Sequence, residues 1–175
     1  MPHWRDPNEA RFIDTEHMFV VESGYQVRVI GVMSDRRATQ RPIPIAVGFA
    51  ASSRGEGVAY ARLLAPSPEP LLRLRFTLDV QPALRGRDVS YAALRAVAAE
   101  VRARGIGRVE FHLDDEWLLL DLNERRALPQ ALVLPYVALR CELNRLRDVN
   151  VVSDEASVRD LVARARAEVC LNVAA

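Results

Sequence analysis

A change in hydrophobic periodicity near residue 88 constrains the fold more than any other feature of this sequence. Before it, three segments are typical of β-strands: apolar runs over 43–51 and 58–65, and an alternation with period two over 71–80. After it, apolar residues recur every three or four positions, as on one face of a helix. The first three strands follow one another directly, so they can pair as antiparallel neighbours.

Helices and short strands alternate in the second half of the chain. The pattern predicts helices over 88–104, 115–122, 129–146 and after residue 154, with strands over 109–113 and 149–152. Strands that are reached through a helical crossover pair in parallel, with right-handed connections. The sequence therefore predicts an α/β fold with a five-stranded mixed sheet and helices on both faces.

Individual residues mark the ends and faces of these elements. Asp88 is predicted to cap the first long helix and Gly105 to end it, while Asp115 caps the short helix and Ser153 or Asp154 the last one. One stripe of the first helix is expected to face the core: Tyr91, Leu94, Val97, Ala98 and Val101. Trp117 and Leu118–Leu120 are expected to belong to the core as well.

Residues 1–42 are predicted to form an extension of the domain over 43–175. They contain a polar arm and two β-rich segments, 18–21 and 25–33, that suggest a β-hairpin. Such a hairpin can lengthen the sheet or pair with another chain. A homodimer or a protein partner bound through this hairpin is one hypothesis for its role.

The composition excludes few functions but sets a cellular context. The formal net charge is +1, so no overall attraction to nucleic acid is implied, and all 24 basic residues are Arg. Cys141 and Cys170 lack the spacing of a metal site, which favours a reduced, cytoplasmic protein. No apolar run reaches the length of a membrane span, and the N-terminus does not have the pattern of a secretory signal.

Four segments, in order, resemble motifs of type 1 ribonuclease H, especially the short bacterial and archaeal kind. They are FAASSRGEG (49–57), SYAALRAV (90–97), VEFHLDDEWLL (109–119) and VVSDEASVRDLVA (151–163). They fall at the end of the first strand, in the first helix, on the fourth strand and at the last helix. The resemblance covers about residues 43–170 and implies a ribonuclease H-like three-layer fold.

The resemblance also implies a chemistry, which this sequence supports only in part. The family hydrolyses phosphodiesters with two magnesium ions held by four carboxylates, one from each motif. Asp114 and Asp160 lie at two of these positions, but Ala50 (or Ala51, one residue on) and Ser90 lie at the other two. The expected site is therefore catalytically degenerate and binds magnesium or manganese weakly at most. Restoring acids with Ala50→Asp and Ser90→Glu is expected to bring back some metal binding.

Both remaining acids have simpler interpretations. Asp114 can be a relic at the end of a strand, and Asp160 can be an exposed helical residue paired with Arg164 four positions on. His112 lies between two apolar residues of a strand and is expected to be a packed histidine.

Three functions follow from these observations. The leading hypothesis is a degenerate ribonuclease H-like module that binds an RNA–DNA hybrid or a structured nucleic acid without hydrolysis. Its candidate contacts are Ser53, Arg54, Arg85 and Arg87. The second hypothesis is an active nuclease that uses magnesium or manganese, with Asp88, Asp115 or Glu116 replacing the lost ligands. The third is a protein-interaction or assembly module.

Overall fold

The computed structural model describes residues 41–64, 71–78, 84, 86–123 and 127–173. The predicted arm and hairpin, up to residue 40, lie outside this part of the chain. The elements are β1 (Ile43–Ala51), β2 (Glu56–Leu63), β3 (Leu72–Thr77), α1 (Asp88–Ala103), β4 (Arg108–Leu113), α2 (Glu116–Asn123), α3 (Gln130–Leu143), β5 (Asp148–Ser153) and α4 (Glu155–Val173). Their order is the predicted one, and most boundaries shift by one to three residues.

The five strands form one mixed sheet in the order β3-β2-β1-β4-β5. β1 pairs antiparallel with β2, which pairs antiparallel with β3. β1 also pairs in parallel with β4, and β4 with β5, so the two crossover-linked strands lie beside β1 as predicted. The α/β mixed-sheet prediction is confirmed.

Helices cover the two faces of the sheet unequally. α1, α2 and α3 share one large apolar cluster with the first face, including Leu94, Phe111, Leu118 and Leu139. Among the described helices, only α4 covers the second face, where Val158, Leu161, Ala165 and Val169 are buried. All the predicted stripe residues of α1 are buried. Successive strand residues point to opposite faces of the sheet, so each face presents apolar side chains that an apolar helix face must cover.

β1 illustrates this alternation and determines how closely α4 can approach. Ile45 and Val47 belong to the α1 side, whereas Ala46 belongs to the α4 side. A Cβ atom on Gly48 would lie 2.5 Å from the Leu161 carbonyl carbon and closer still to the Val162 nitrogen. The α4 backbone therefore rests directly on β1, which only glycine permits at this position.

Three of the four predicted helix boundaries are confirmed, namely those at Gly105, Asp115 and Asp154. Gly105 follows α1 with φ of 79°, the conformation that suits a glycine after a helix. The Asp115 carboxylate accepts a hydrogen bond from the Leu118 N–H at 2.9 Å, and the Asp154 carboxylate accepts one from the Ser157 N–H at 3.2 Å.

The prediction that Asp88 caps α1 is wrong. Arg87 is the N-cap and already has helical backbone angles, φ −63° and ψ −23°, with no side-chain cap. Asp88 therefore lies inside the first turn of α1 and is buried. A negative charge at this position stabilises the helix, because it lies near the positive end of the helix dipole.

Of the α2 residues predicted to belong to the core, Leu118 is buried, Leu119 and Leu120 are partly buried, and Trp117 is not buried. In α2 the buried residues are Leu118, Asp121 and Leu122, spaced as one narrow face of a short helix. Trp117 therefore points outward and is 59% exposed. Within the described residues, no helix is both long and apolar enough to cross a membrane.

Candidate functional site

Ala50 and Ser90, two positions of the expected metal site, lie on opposite faces of the sheet. Ala50 packs with the cluster beneath α4. Ser90 belongs to α1, which packs on the other face, and it is buried. Because a strand alternates with period two, Ala51 points to the α1 side instead. Ala50 and Ser90 are therefore separated by the sheet itself.

Ser90 has a local structural partner. Its hydroxyl donates a hydrogen bond to the Arg87 carbonyl oxygen at 3.1 Å, three residues back in the first turn of α1. This contact satisfies a polar group that is only 2% exposed. The position thus contributes to the start of the helix and offers no carboxylate.

Asp114 lies where β4 ends, and its side chain is exposed. It forms no hydrogen bond or ion pair with any residue that the structure describes. The next residue, Asp115, caps α2 through its carboxylate. The two adjacent aspartates thus differ in role: one holds a helix end, and the other faces solvent.

Asp160 is held by an arginine from the sheet. Its carboxylate accepts two hydrogen bonds from the Arg62 guanidinium, at 2.8 and 3.2 Å, a bidentate pair. Arg62 also donates to the Ser157 carbonyl oxygen. The expected partner Arg164 lies instead over the ring of Tyr60, 5.0 Å from its centroid. Asp160 therefore ties α4 to β2.

These residues do not fit a two-magnesium centre. Such a centre needs several hard oxygen ligands around one point to offset the charge of two ions. Among the described residues, no three His, Cys, Asp or Glu side chains are grouped so that they could hold a metal ion. Of the four motif positions, Asp114 alone offers a carboxylate without a partner in the described part of the chain.

A polar network on the α4 side of β4 was missed by the sequence analysis except for its central residue. The His112 ring nitrogens lie 3.0 Å from the Asp154 carboxylate and 3.1 Å from the Glu110 carboxylate. Asn150, the β5 partner of Glu110, donates to it at 2.9 Å. His112 is therefore packed, as expected, but between two acids. The i, i+2 spacing of Glu110 and His112 was the signal for this cluster.

Asp154 connects this network to the start of α4. The Ser157 hydroxyl donates to its carboxylate at 2.6 Å. Hydrogen bonds from Ser157 and then from His112 lower the pKa of Asp154 below its ordinary value. The network thus fixes the N-terminus of α4 against β4.

Arg87 is held on a second network, at the start of α1. It donates to the Asp121 carboxylate at 2.8 Å, and its guanidinium lies 5.1 Å from the centre of the Trp117 ring. The buried Tyr91 hydroxyl donates to the same carboxylate, and burial, followed by this contact, raises the pKa of Tyr91. Arg87 is therefore largely engaged within the protein, although its side chain is 30% exposed.

The remaining candidate contacts lie in or near turns. Ser53 and Arg54 are exposed in the turn between β1 and β2. The neighbouring Ser52 hydroxyl accepts hydrogen bonds from the Arg54 and Glu56 N–H groups, so it is used to shape the turn. Arg85 lies outside the described residues.

Solved structures of ribonuclease H1 are similar to this chain over most of its length. The enzyme from the halophilic archaeon Halobacterium salinarum NRC-1 has a TM-score of 0.56 at 14% identity, over 72% of this chain and 98% of its own. LC11 ribonuclease H1, isolated from compost by a metagenomic approach, has a TM-score of 0.53 at 14% identity, over 73% and 91%. LC11 ribonuclease H1 in complex with an RNA/DNA hybrid gives 0.52 at 11% identity, over 73% and 99%.

The sequence itself has no such match: no family model and no curated protein corresponds to it. Identities this low support conclusions about architecture and not about activity. Together with the strand order and the placement of the helices, the structural likeness shows that this chain has a ribonuclease H-like fold.

Proposed function

We propose that this chain is a ribonuclease H-like protein that binds an RNA–DNA hybrid or a structured nucleic acid without hydrolysing it. One observation carries the absence of hydrolysis: Ser90 has no carboxylate, and neither Ala50 nor Ala51 supplies one from the first strand. Two-metal hydrolysis needs one ion to generate the attacking hydroxide and one to stabilise the leaving oxygen. A lone exposed carboxylate at Asp114 cannot hold both.

Nucleic-acid binding is supported by the fold and by the basic residues. LC11 ribonuclease H1, which shares the architecture, has been solved with an RNA/DNA hybrid. All the basic side chains here are guanidinium groups, whose planar fork matches a phosphate better than an ammonium does. With a net charge of +1, binding must depend on where these groups cluster.

The active-nuclease alternative needs replacement ligands that the structure does not favour. Asp88 is buried in the first turn of α1, and the Asp115 carboxylate is occupied by its cap. Glu116 alone of the three is exposed beside Asp114. Two neighbouring acids offer much less charge than the four that the family mechanism uses.

A cleavage assay separates these two functions. The full chain is incubated with a labelled RNA–DNA hybrid and either magnesium or manganese, beside an Asp114→Asn variant. We expect binding that weakens with salt and no cleavage of the RNA strand by either protein. Metal-dependent cleavage by the wild type that disappears in the variant would show an active nuclease instead.

A protein-interaction function has a specific observation in its favour. Val133, Leu134 and Val137 form an outward-facing apolar stripe on α3, and Leu134 is 78% exposed. Sedimentation of the wild type beside a Leu134→Gln variant tests whether this stripe joins two copies. A dimer that dissociates in the variant supports the interaction role, and a monomer in both argues against a homodimer through α3.

A further inference from the structure

A groove rich in arginine lies at the end of the sheet opposite Asp114. It has a volume of about 470 Å³. Its lining consists of Arg41, Ile43, Gly105, Ile106, Gly107, Arg108 and Arg147. These residues precede β1, β4 and β5 or open those strands, whereas Asp114 follows the carboxyl end of β4.

Within the part of the chain that the structure describes, the guanidinium groups of Arg41 and Arg147 do not hold other side chains in place. Both side chains are exposed, and neither forms an ion pair or hydrogen bond with another side chain of the described residues. Other arginines at this end are paired: Arg102 with Glu142, and Arg104 with Glu100. Two cations thus remain available for a ligand.

The adjacent helix ends do not need these cations either. At the end of α1, the Arg102 carbonyl accepts from the Gly105 N–H and the Val101 carbonyl from the Ile106 N–H. At the end of α3, the Leu143 carbonyl accepts from the Leu146 N–H. These carbonyl groups at the helix ends are therefore capped by backbone N–H groups. Basic side chains often cap such carbonyl groups, but Arg41 and Arg147 are not needed for that role here.

Two glycines keep the floor of the groove low. Gly105 has a positive φ, and a Cβ on Gly107 would touch the Arg147 side chain at 3.4 Å. The Gly107 carbonyl accepts from both the Arg147 and the Asp148 N–H groups, at 2.7 and 3.1 Å, which fixes Arg147 beside the loop. Asp148 lies opposite Arg108 in the pairing of β4 with β5, and three arginines line the groove.

We infer that this groove is a phosphate-binding site, and that the phosphates of a bound nucleic acid lie across it. The inference rests on the proposed function and names the surface that performs it. Arginine forks bind phosphate oxygens in pairs, and the groove brings Arg41 and Arg147 to one concave surface. At the other end of β4, three consecutive acids, Asp114, Asp115 and Glu116, repel phosphates, so the polarity of the molecule favours the arginine groove.

Hybrid binding by two charge-matched double variants tests the site. Arg41→Ala with Arg147→Ala removes two guanidinium groups from the groove, and Arg95→Ala with Arg166→Ala removes two exposed ones elsewhere. In the groove variant we expect affinity to fall at least about tenfold and the slope of log affinity against log salt to shrink by about two. In the control variant we expect affinity to change by less than about threefold.

Equal losses of affinity in both variants, or a loss in the control variant alone, would refute the groove as the phosphate-binding site. Either result would still be consistent with nucleic-acid binding elsewhere on the protein. If the wild type binds no hybrid, the proposed function fails, and titration with pyrophosphate decides the groove by itself. In that titration, shifts of the Gly105 and Gly107 amide NMR resonances that are absent in the groove variant would show that the groove binds a free phosphate ester. No shifts in the wild type would refute it.

Discussion

At the scale of single residues, Gly48 determines how closely α4 packs on the sheet. The site is closed by the backbone of Leu161 and Val162, which cannot rotate away as a side chain can. We expect Gly48→Ala to reduce the free energy of unfolding by about 2–3 kcal/mol, since α4 must move to accept a methyl group. Urea denaturation of the two proteins measures this difference.

Gly107→Ala is the matched control for this prediction. Its added methyl group would meet only the flexible stem of Arg147, at 3.4 Å. We expect a change within about 1 kcal/mol, because a movable side chain relieves the contact and alanine lowers the entropy of the unfolded chain. Similar effects of both substitutions would mean that α4 is not in close contact with β1.

At the scale of elements, the second half of α4 is joined to β2 and β3 through Glu168. Its carboxylate accepts hydrogen bonds from Arg73 Nε at 2.9 Å and from the Tyr60 hydroxyl at 2.5 Å. The Arg73 contact, followed by that of Tyr60, lowers the pKa of Glu168 to about 2. Because the folded state lowers this pKa, the contact stabilises the protein above pH 4.5 and is lost progressively as the pH falls toward about 2.

Glu168→Gln should therefore remove part of the acid sensitivity of folding. At pH 7 we expect the variant to be less stable by about 1 kcal/mol, a modest value because the pair is partly exposed to solvent. The difference should shrink as the pH falls below 4.5. Denaturant titrations at several pH values measure it, with Glu155→Gln as the control at an exposed ion pair. A constant difference between the variant and the wild type at every pH would contradict this role.

At the scale of the whole molecule, the sheet is a barrier between two halves of the expected metal site. Ala50 faces α4 on one side of the sheet, whereas Ser90 belongs to α1 on the other side. This geometry changes the expectation that Ala50→Asp with Ser90→Glu restores metal binding: the two new carboxylates would have no common point at which to hold an ion. We expect no manganese binding in this variant by calorimetric titration.

Ala51→Asp with Ser90→Glu is the informative comparison, because both positions lie on the α1 side of the sheet. Circular dichroism establishes that each variant is folded before the titrations are compared. Micromolar manganese binding by the Ala50→Asp, Ser90→Glu variant would refute the assignment of these residues to opposite faces.

The sequence by itself determined the order and type of the elements, because periodicity and turn residues are local properties of the chain. Period two over 71–80 indicated the half-buried strand β3, and helical spacing in 91–101 indicated the face of α1 that became core. Gly105, Asp115 and Asp154 marked helix ends through contacts that span only a few residues. Together with the motif resemblance, these signals were sufficient for the ribonuclease H-like fold.

Only the tertiary structure decided how the polar residues are used, because their partners are distant in sequence. The Asp160 carboxylate pairs with Arg62 across 98 positions, where local spacing had suggested Arg164. His112 meets Asp154 across 42 positions, and Arg41, Arg108 and Arg147 come together only when β1, β4 and β5 align. A one-residue slip in register moves a strand side chain to the other face, so Ala50 and Ala51 could be distinguished only once the sheet had formed.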